Sequence, residues 1–170
     1  MKTFISEYYR DQNAQLHATN RYGKWGHRQK DAVESVYRRY NCKSALDYGA
    51  GQQTLSEAVS FSLTGYDPAI PAISELPTVH DLVVCSDVLE HVEPEYLDNV
   101  LEHIQAIVEV AAYFVIATRP DGTKKLPDGR DPHICLHDKD WWEAKIGEYF
   151  NVVKCEMGER GEVIMECMPL

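Results

Sequence analysis

The stretch Asp81 to Pro94, DLVVCSDVLEHVEP, decides how the rest of this 170-residue chain is read. Asp81, Leu82, Val83, Val84 and Cys85 make a short apolar, β-branched run suited to a buried strand, and Ser86 and Asp87 end it on polar side chains. From Asp87 the sequence continues Val-Leu-Glu-His. Offsets of three and four residues predict Asp87, Glu90 and His91 on one face of a single helical turn. Two carboxylates and an imidazole are therefore expected at the carboxyl end of a strand, where open α/β sheets bind their ligands.

Upstream, Ser44 to Gly51 reads SALDYGAG, an apolar strand ending in Asp-x-Gly-x-Gly and running into a helix over 53–60. Glycine lets the chain turn tightly, and N–H groups left free at a helix start can face a bound group. Phe61 to Asp67 predicts a second strand, and Asp67 follows Asp47 by about the twenty residues at which a carboxylate can hydrogen-bond a ribose diol. The alternative role for Asp67 is that of a turn residue ahead of Pro68. A nicotinamide fingerprint requires a third glycine, which Gly49-Ala50-Gly51-Gln52-Gln53-Thr54 does not supply.

With these motifs the chain resembles the class I S-adenosylmethionine-dependent methyltransferases: LDYGAG as the cofactor loop, YDP as the ribose-binding strand end and CSDVLEHV as the fourth-strand motif. The resemblance implies S-adenosyl-L-methionine as cofactor and Asp47, Gly49, Ala50, Gly51, Asp67, Ser86 and Asp87 as cofactor-binding residues. Asp47, Gly49 and Gly51 would surround the methionine end, and Asp67 would take the ribose hydroxyls. Gln53 stands where the family has its third glycine. More narrowly, LDYGAG, GYDPAIP, DLVVCSDVLEHVEP and TRPDGTKKLPDGR look like a group of small stand-alone methyltransferase-domain proteins of bacterial and phage genomes, a likeness that assigns no substrate.

The implied fold is α/β and Rossmann-like, a mostly parallel twisted sheet with a C-terminal antiparallel hairpin. Pro68 to His80, PAIPAISELPTVH, contains three prolines and cannot hold both the helix and the strand that the family places there. The third strand and its helix are expected to be shortened or absent, with adenine resting on Ile70, Ile73 or Leu76.

Asp-x-x-Glu-His followed downstream by His is also similar to the Glu-x-x-Glu-His plus His metal motif of small-RNA 3′-terminal 2′-O-methyltransferases and ubiquinone-pathway O-methyltransferases. Those enzymes act on one oxygen of a vicinal diol or catechol. The likeness implies a divalent metal on Asp87, Glu90, His91 and His133, with His137 a further candidate ligand. Mixed carboxylate and imidazole ligation suits Mn, Fe or Zn better than Mg. Two other roles stay open: a structural Glu90–His91 pair, and a catalytic set of His91, His133 and Asp87 in which an imidazole is the general base.

The flanking sequence completes the expectation. Residues 1–40 predict a helical segment covering the cofactor side, broken at Asn20-Arg21-Tyr22-Gly23-Lys24-Trp25-Gly26, whose Tyr22 and Trp25, with His27, can fold over a ligand. A long amphipathic helix over 96–108 leads to a strand over 113–117. Thr118 to His137 then forms a long loop of the kind that makes lids, with Lys125 and Arg130, beside Lys124, as candidate acceptor contacts. Asp140 and Glu143 have capping-box spacing, and 151–156 pairs with 162–168 across Gly158 to Gly161.

Composition bounds the function. At 44% hydrophobic and 26% charged, residues 1–170 read as a single globular domain without a linker, which the resemblance implies is a methyltransferase domain. A net charge of −10 disfavours nucleic acid and membrane surfaces as partners and leaves a small-molecule acceptor. Five cysteines without a Cys-x-x-Cys pair and an N-terminus without an apolar signal core point to a reduced, cytoplasmic protein. Base-amine methylation would call for Asp/Asn-Pro-Pro-aromatic, and cytosine C5 methylation for a Cys beside Pro; neither is present. The expected activity is O-methylation of a small or sugar-like acceptor, with metal assistance and an imidazole base both open for the proton. The alternatives are a non-catalytic S-adenosylmethionine-binding regulatory module and an RNA-terminal 2′-O-methyltransferase.

Overall fold

Four consecutive apolar residues form a strand only where both faces of a sheet are covered, and Leu82 to Cys85 occupy such a place. In the computed structural model, which describes residues 2–19 and 22–170, they form the centre of β3 (His80–Ser86) and are fully buried. β1 (Ala45–Tyr48) and β4 (Val108–Ala117) flank β3 in parallel, and β2 (Thr64–Tyr66) lies parallel to β1. The hairpin of β5 (Phe150–Met157) and β6 (Glu162–Pro169) joins β4 through antiparallel β6. The strand order is β2-β1-β3-β4-β6-β5. Between β2 and β3 the chain makes only a 3₁₀ turn, Pro71–Ile73, so the edge strand that the prolines argue against is missing and β2 is the margin of the sheet.

Alternation along β3 sorts the two cores. Leu82 and Val84 join Val33 and Val36 of α2 (Lys30–Arg39) and Leu55 of α3 (Thr54–Ala58) on one face. Val83 and Cys85 join Val100, Leu101 and Ile104 of α4 (Leu97–Ile107), and Trp142 and Ile146 of α5 (Lys139–Gly147), on the other. The N-terminal helix α1 (Glu7–His17), capped by the Ser6 hydroxyl, which accepts from the Tyr9 N–H, contributes Tyr9, Asn13 and His17 to the cavity described below. The expected break at Asn20–Gly26 falls partly on Asn20 and Arg21, outside the described residues; a 3₁₀ turn, Gly26–Gln29, then runs directly into α2.

β2 and α3 are shorter than the expected 61–67 and 53–60, and two further boundaries differ for visible reasons. β4 begins at Val108 rather than 113, because Val108 is already in register with His80 and the chain passes from α4 into the sheet without a loop. The cap of α5 is Asp138, whose carboxylate accepts the Trp141 N–H at 2.9 Å. The Asp140–Glu143 box does not form, and Glu143 instead pairs with Lys139 at 2.7 Å. Asp138→Ala is therefore expected to lower the unfolding free energy by about 1 kcal/mol, while Asp140→Ala changes it little. Urea midpoints of the two variants check this, and equal midpoints would remove the cap assignment.

All five cysteines are free thiols, and four of them are buried. Among the described residues no helix is long and apolar enough to cross a membrane.

Candidate functional site

Strand order reverses between β1 and β3, and a crevice opens beyond the carboxyl ends of the strands at such a point. Here it is a cavity of about 480 Å³, in the size range of small-ligand pockets. Asp47, Gly49 and Ala50 line it from the end of β1, Asp67 from β2, and Ser86 and Asp87 from β3. His17, residues of the segment from Tyr22 to Gln29 and residues of the segment from Ala117 to His133 add to its walls.

The glycine turn is shaped by the chain itself. Gly49 has φ +83°, and a Cβ there would fall 2.3 Å from a Val88 methyl. Gly51 has φ +51°, and its Cβ would lie 2.5 Å from the Gly23 carbonyl oxygen. The turn's N–H groups are not free. Those of Gly49 and Ala50 donate to the Tyr66 carbonyl at 2.7 and 2.9 Å, that of Gly51 to Asp67 Oδ2 at 3.1 Å, and that of Gln52 to the Gly23 carbonyl at 2.7 Å. A tight turn seated on β2 must satisfy its own amides, so it offers a ligand a close surface rather than a row of donors. Gln53 takes a left-handed backbone, at φ 58°.

Asp67 is a turn residue that also faces the cavity. Its Oδ1 accepts the Ala69 N–H at 2.9 Å, as a turn residue does, yet the carboxylate also lines the cavity, with Oδ2 3.9 Å from Nε2 of His17. Asp47 is buried, and burial together with the Asp67 charge pushes its carboxyl up to about 7. Pro68 and Ala69 line the wall beside them, where Ile70, Ile73 and Leu76 were expected; none of those three faces the cavity.

At the other end the structure corrects the turn after β3. Asp87 leaves the strand in a left-handed conformation, φ 56°, with its N–H on the Val115 carbonyl at 2.8 Å. Only Leu89–His91 is helical, as a single 3₁₀ turn. Asp87 is thereby separated from the face that carries Glu90 and His91. It lines the cavity but lies outside the cluster of candidate ligand atoms, which is Glu90, His91 and His133, all within 4.8 Å of one another. His137 is outside it too, stacked on Trp141 at 3.5 Å beside a separate cleft.

The cluster has the donor chemistry of a cation site. Nδ1 of His91 lies 2.9 Å from the Pro132 carbonyl, and Nδ1 of His133 lies 2.6 Å from the Arg119 carbonyl. A carbonyl can only accept, so each Nδ1 carries the proton and each Nε2 keeps a lone pair, the arrangement that metal-binding imidazoles adopt. Glu90 is fully buried; its Oε1 accepts the Ala117 N–H at 3.1 Å, and its Oε2 has no partner. Burial, reinforced by the Asp87 charge, holds the Glu90 carboxyl well above the usual carboxylate range. Burial and then His133 push His91 down to about 3, so its imidazole is neutral at physiological pH. A buried oxygen without a partner, beside two aimed lone pairs, fits a divalent ion.

Tyr22 and Trp25 both line the cavity, and the Tyr22 hydroxyl lies 3.0 Å from Nδ1 of His91. Lys125 and Arg130 do not line it; they pair with Asp131 at 3.5 Å and Asp128 at 2.8 Å. Their place is taken by Lys124 and by three residues the sequence did not single out, Arg28, Arg119 and Arg160. His17 was missed as well, since one imidazole in a polar helix carries no pattern of its own.

No family model matches the chain, and no curated protein matches it significantly. Solved structures do. Magnesium protoporphyrin IX methyltransferase (ChlM) from Synechocystis PCC 6803 with bound SAH is 18% identical, with a TM-score of 0.60 over 85% of this chain and 83% of that one. The DhpI-SAM-HEP complex is 15% identical, with a TM-score of 0.63 over 95% of both chains. Mitomycin 7-O-methyltransferase MmcR is 11% identical, with a TM-score of 0.56 over 77% of this chain and 50% of that one. At such identities the likeness speaks for architecture, and with the strand order and the trimmed edge it establishes that the chain has the Rossmann-like methyltransferase fold.

Proposed function

We propose that the protein is an S-adenosylmethionine-dependent methyltransferase acting on an oxygen of a small acceptor, with a divalent ion held by Glu90, His91 and His133. The observation that carries this reading is one continuous cavity. It has Gly49 and Ala50 with Asp47 and Asp67 at one end and the cluster's two imidazoles in its wall. Structures of the same fold that contain SAM or SAH support the cofactor, and a porphyrin methyltransferase and a mitomycin O-methyltransferase with this fold support a small acceptor.

Bound S-adenosylmethionine would supply a methyl group already activated on a sulfonium. The chain's own work is to align a nucleophile with that methyl group and to manage the proton it loses. Asp67 offers its carboxylate to the ribose hydroxyls, and Asp47 offers a buried carboxyl to the cofactor's ammonium group. Tyr22 and Trp25 close the cavity over the acceptor. A bound divalent ion would lower the acceptor hydroxyl's pKa and fix its position. Without the ion, Nε2 of His91 or His133 is the free base nearest to that task.

Asp47 makes cofactor binding pH-dependent. Its carboxyl is neutral below about 7, and an ammonium partner favours the ionised form, so binding expels a proton at acid pH. Affinity for S-adenosylhomocysteine is expected to fall by up to about tenfold per pH unit as pH drops below 7. Calorimetry between pH 5.5 and 8 should show this slope flattened in Asp47→Asn, and a flat profile in the parent protein would refute the role.

Transfer of labelled methyl groups from S-adenosylmethionine to catechols, sugar diols and nucleotides, with and without Mn²⁺, tests the activity. Saturable S-adenosylhomocysteine binding with no transfer to any of them would favour the regulatory module. Transfer only to an RNA 3′ end would favour the terminal 2′-O-methyltransferase.

A further inference from the structure

Seventeen Lys and Arg residues occur in the chain, and all but Arg21 are described. Ten of these have a carboxylate within 4.0 Å, as expected in a protein of net charge −10. Six do not. One is Lys43, which donates to the Asn41 side chain at 2.6 Å. The other five, Lys24, Arg28, Arg119, Lys124 and Arg160, all line the one cavity. When anions outnumber cations, an unpaired cation is the exception. Five gathered from three separate segments into one concavity repel one another unless a counter-anion joins them.

The neighbouring carboxylates do not supply that anion. Asp47 and Asp67 belong to the cofactor end, and Glu93 accepts the Ser6 N–H and hydroxyl at 2.7 and 2.6 Å. Asp121 accepts the N–H groups of Thr123 and Lys124 at 3.1 and 2.6 Å. With Asp87 and Glu162 the cavity wall holds six carboxylates, yet none of them lies within 4.0 Å of any of the five cations. The cations are also held in place. Nε of Arg119 donates to the Arg160 carbonyl at 2.8 Å, tying the loop after β4 to the hairpin turn, and the Arg28 guanidinium lies over the Trp25 ring at 3.7 Å. Guanidinium groups fixed by carbonyl and ring contacts keep their remaining donors for a planar or tetrahedral oxyanion.

We infer that the methyl acceptor is a small anion, bearing a phosphate or carboxylate group that Arg119, Lys124 and Arg160, with Lys24 and Arg28, hold in the cavity; this rests on the methyltransferase reading. The size follows from the rest of the surface. Beyond the cavity nearly all described cations are already paired and the net charge is −10, so a polyanion would be repelled over most of its length.

The test is calorimetric, on the 170-residue chain in chelator so that no metal contributes. Inorganic phosphate and succinate are titrated into protein with and without S-adenosylhomocysteine, and the tighter of the two identifies the anionic group. Binding below about 10 mM is expected, weakened at least about tenfold in Arg119→Gln/Lys124→Gln/Arg160→Gln and unchanged in Lys125→Gln/Arg130→Gln, whose cations are paired outside the cavity. Retained S-adenosylhomocysteine binding in the triple variant shows that it is folded. No binding of either anion, or equal binding in the triple variant, overturns the inference. A single-stranded oligoribonucleotide that outbinds phosphate and depends on the same three residues overturns its restriction to small acceptors. If phosphate binds and S-adenosylhomocysteine does not, the methyltransferase reading fails while the anion site stands.

Discussion

Gly51→Ala is expected to weaken S-adenosylhomocysteine binding by about 100-fold or more, equivalent to the 1–3 kcal/mol of overpacking compounded by a strained backbone. The new methyl would sit 2.5 Å from the carbonyl oxygen of Gly23, with the Gly23 Cα and carbonyl carbon at 2.9 and 3.0 Å. These are backbone atoms, and they cannot swing aside as a side chain does. The segment that includes Gly23 must lift, which breaks the Gln52 N–H bond to Gly23 and strains the 3.0 Å bond from the Gln52 amide to the His17 carbonyl. Tyr22 and Trp25 would move with it, and the cavity would lose a wall. Gly122→Ala and Gly129→Ala separate strain from crowding. Both positions have left-handed φ, +74° and +90°, with nothing within 4 Å of the added carbon. Those variants should lose about 1 kcal/mol of stability and no affinity. Calorimetry on all three decides it, and a Gly51→Ala protein that binds like its parent would show that the seated segment is irrelevant to the cofactor.

The second large effect concerns the cluster. Mn²⁺ titrated into S-adenosylhomocysteine-saturated protein is expected to bind saturably, and Glu90→Gln, His91→Ala and His133→Ala are each expected to weaken it by at least about tenfold. His137→Ala and Asp87→Asn should leave binding within a few-fold, because neither side chain belongs to the cluster. The pH dependence identifies the competing proton. Glu90 holds its proton well above the usual carboxylate range, so an arriving ion must displace it and affinity falls as pH falls. His91, pushed down to about 3, is already neutral and contributes no such slope. Glu90→Gln should therefore flatten the Mn²⁺ affinity profile as well as lower it. Absence of saturable binding in the parent would remove the ion and leave the imidazoles as base candidates.

The reach of the sequence can be judged position by position. β3 and the glycine turn were legible because a β-branched apolar run and a Gly-x-Gly after a strand are local signals with local causes. The missing edge strand was legible through three prolines, whose rings forbid what the fold normally places there. The ligand set was legible only in part. Asp87 takes left-handed φ without being glycine, and no rule of periodicity foresees the break this puts ahead of Glu90 and His91. The sequence does not reveal that Tyr66 and Asp67 lie beneath the glycine turn and take its N–H groups. Arg28, Arg119 and Arg160 come from separate segments and meet only in three dimensions, so charge patterning favoured the nearer cluster at Lys124, Lys125 and Arg130. Asp138 and Asp140 are equally plausible caps by composition, and the start of α5 alone chooses between them.

The loop from Thr118 to His137 has no helix or strand, yet it is not loose. The carbonyl of Pro132 is bound to His91, that of Arg119 to His133, and the N–H of Cys135 to the Glu90 carbonyl at 2.9 Å. The same imidazoles that present lone pairs to the cavity hold the loop through their other nitrogen. Local unfolding of this loop and dissolution of the site are thus one cooperative event, and whatever occupies the cluster also sets the free energy of opening the loop.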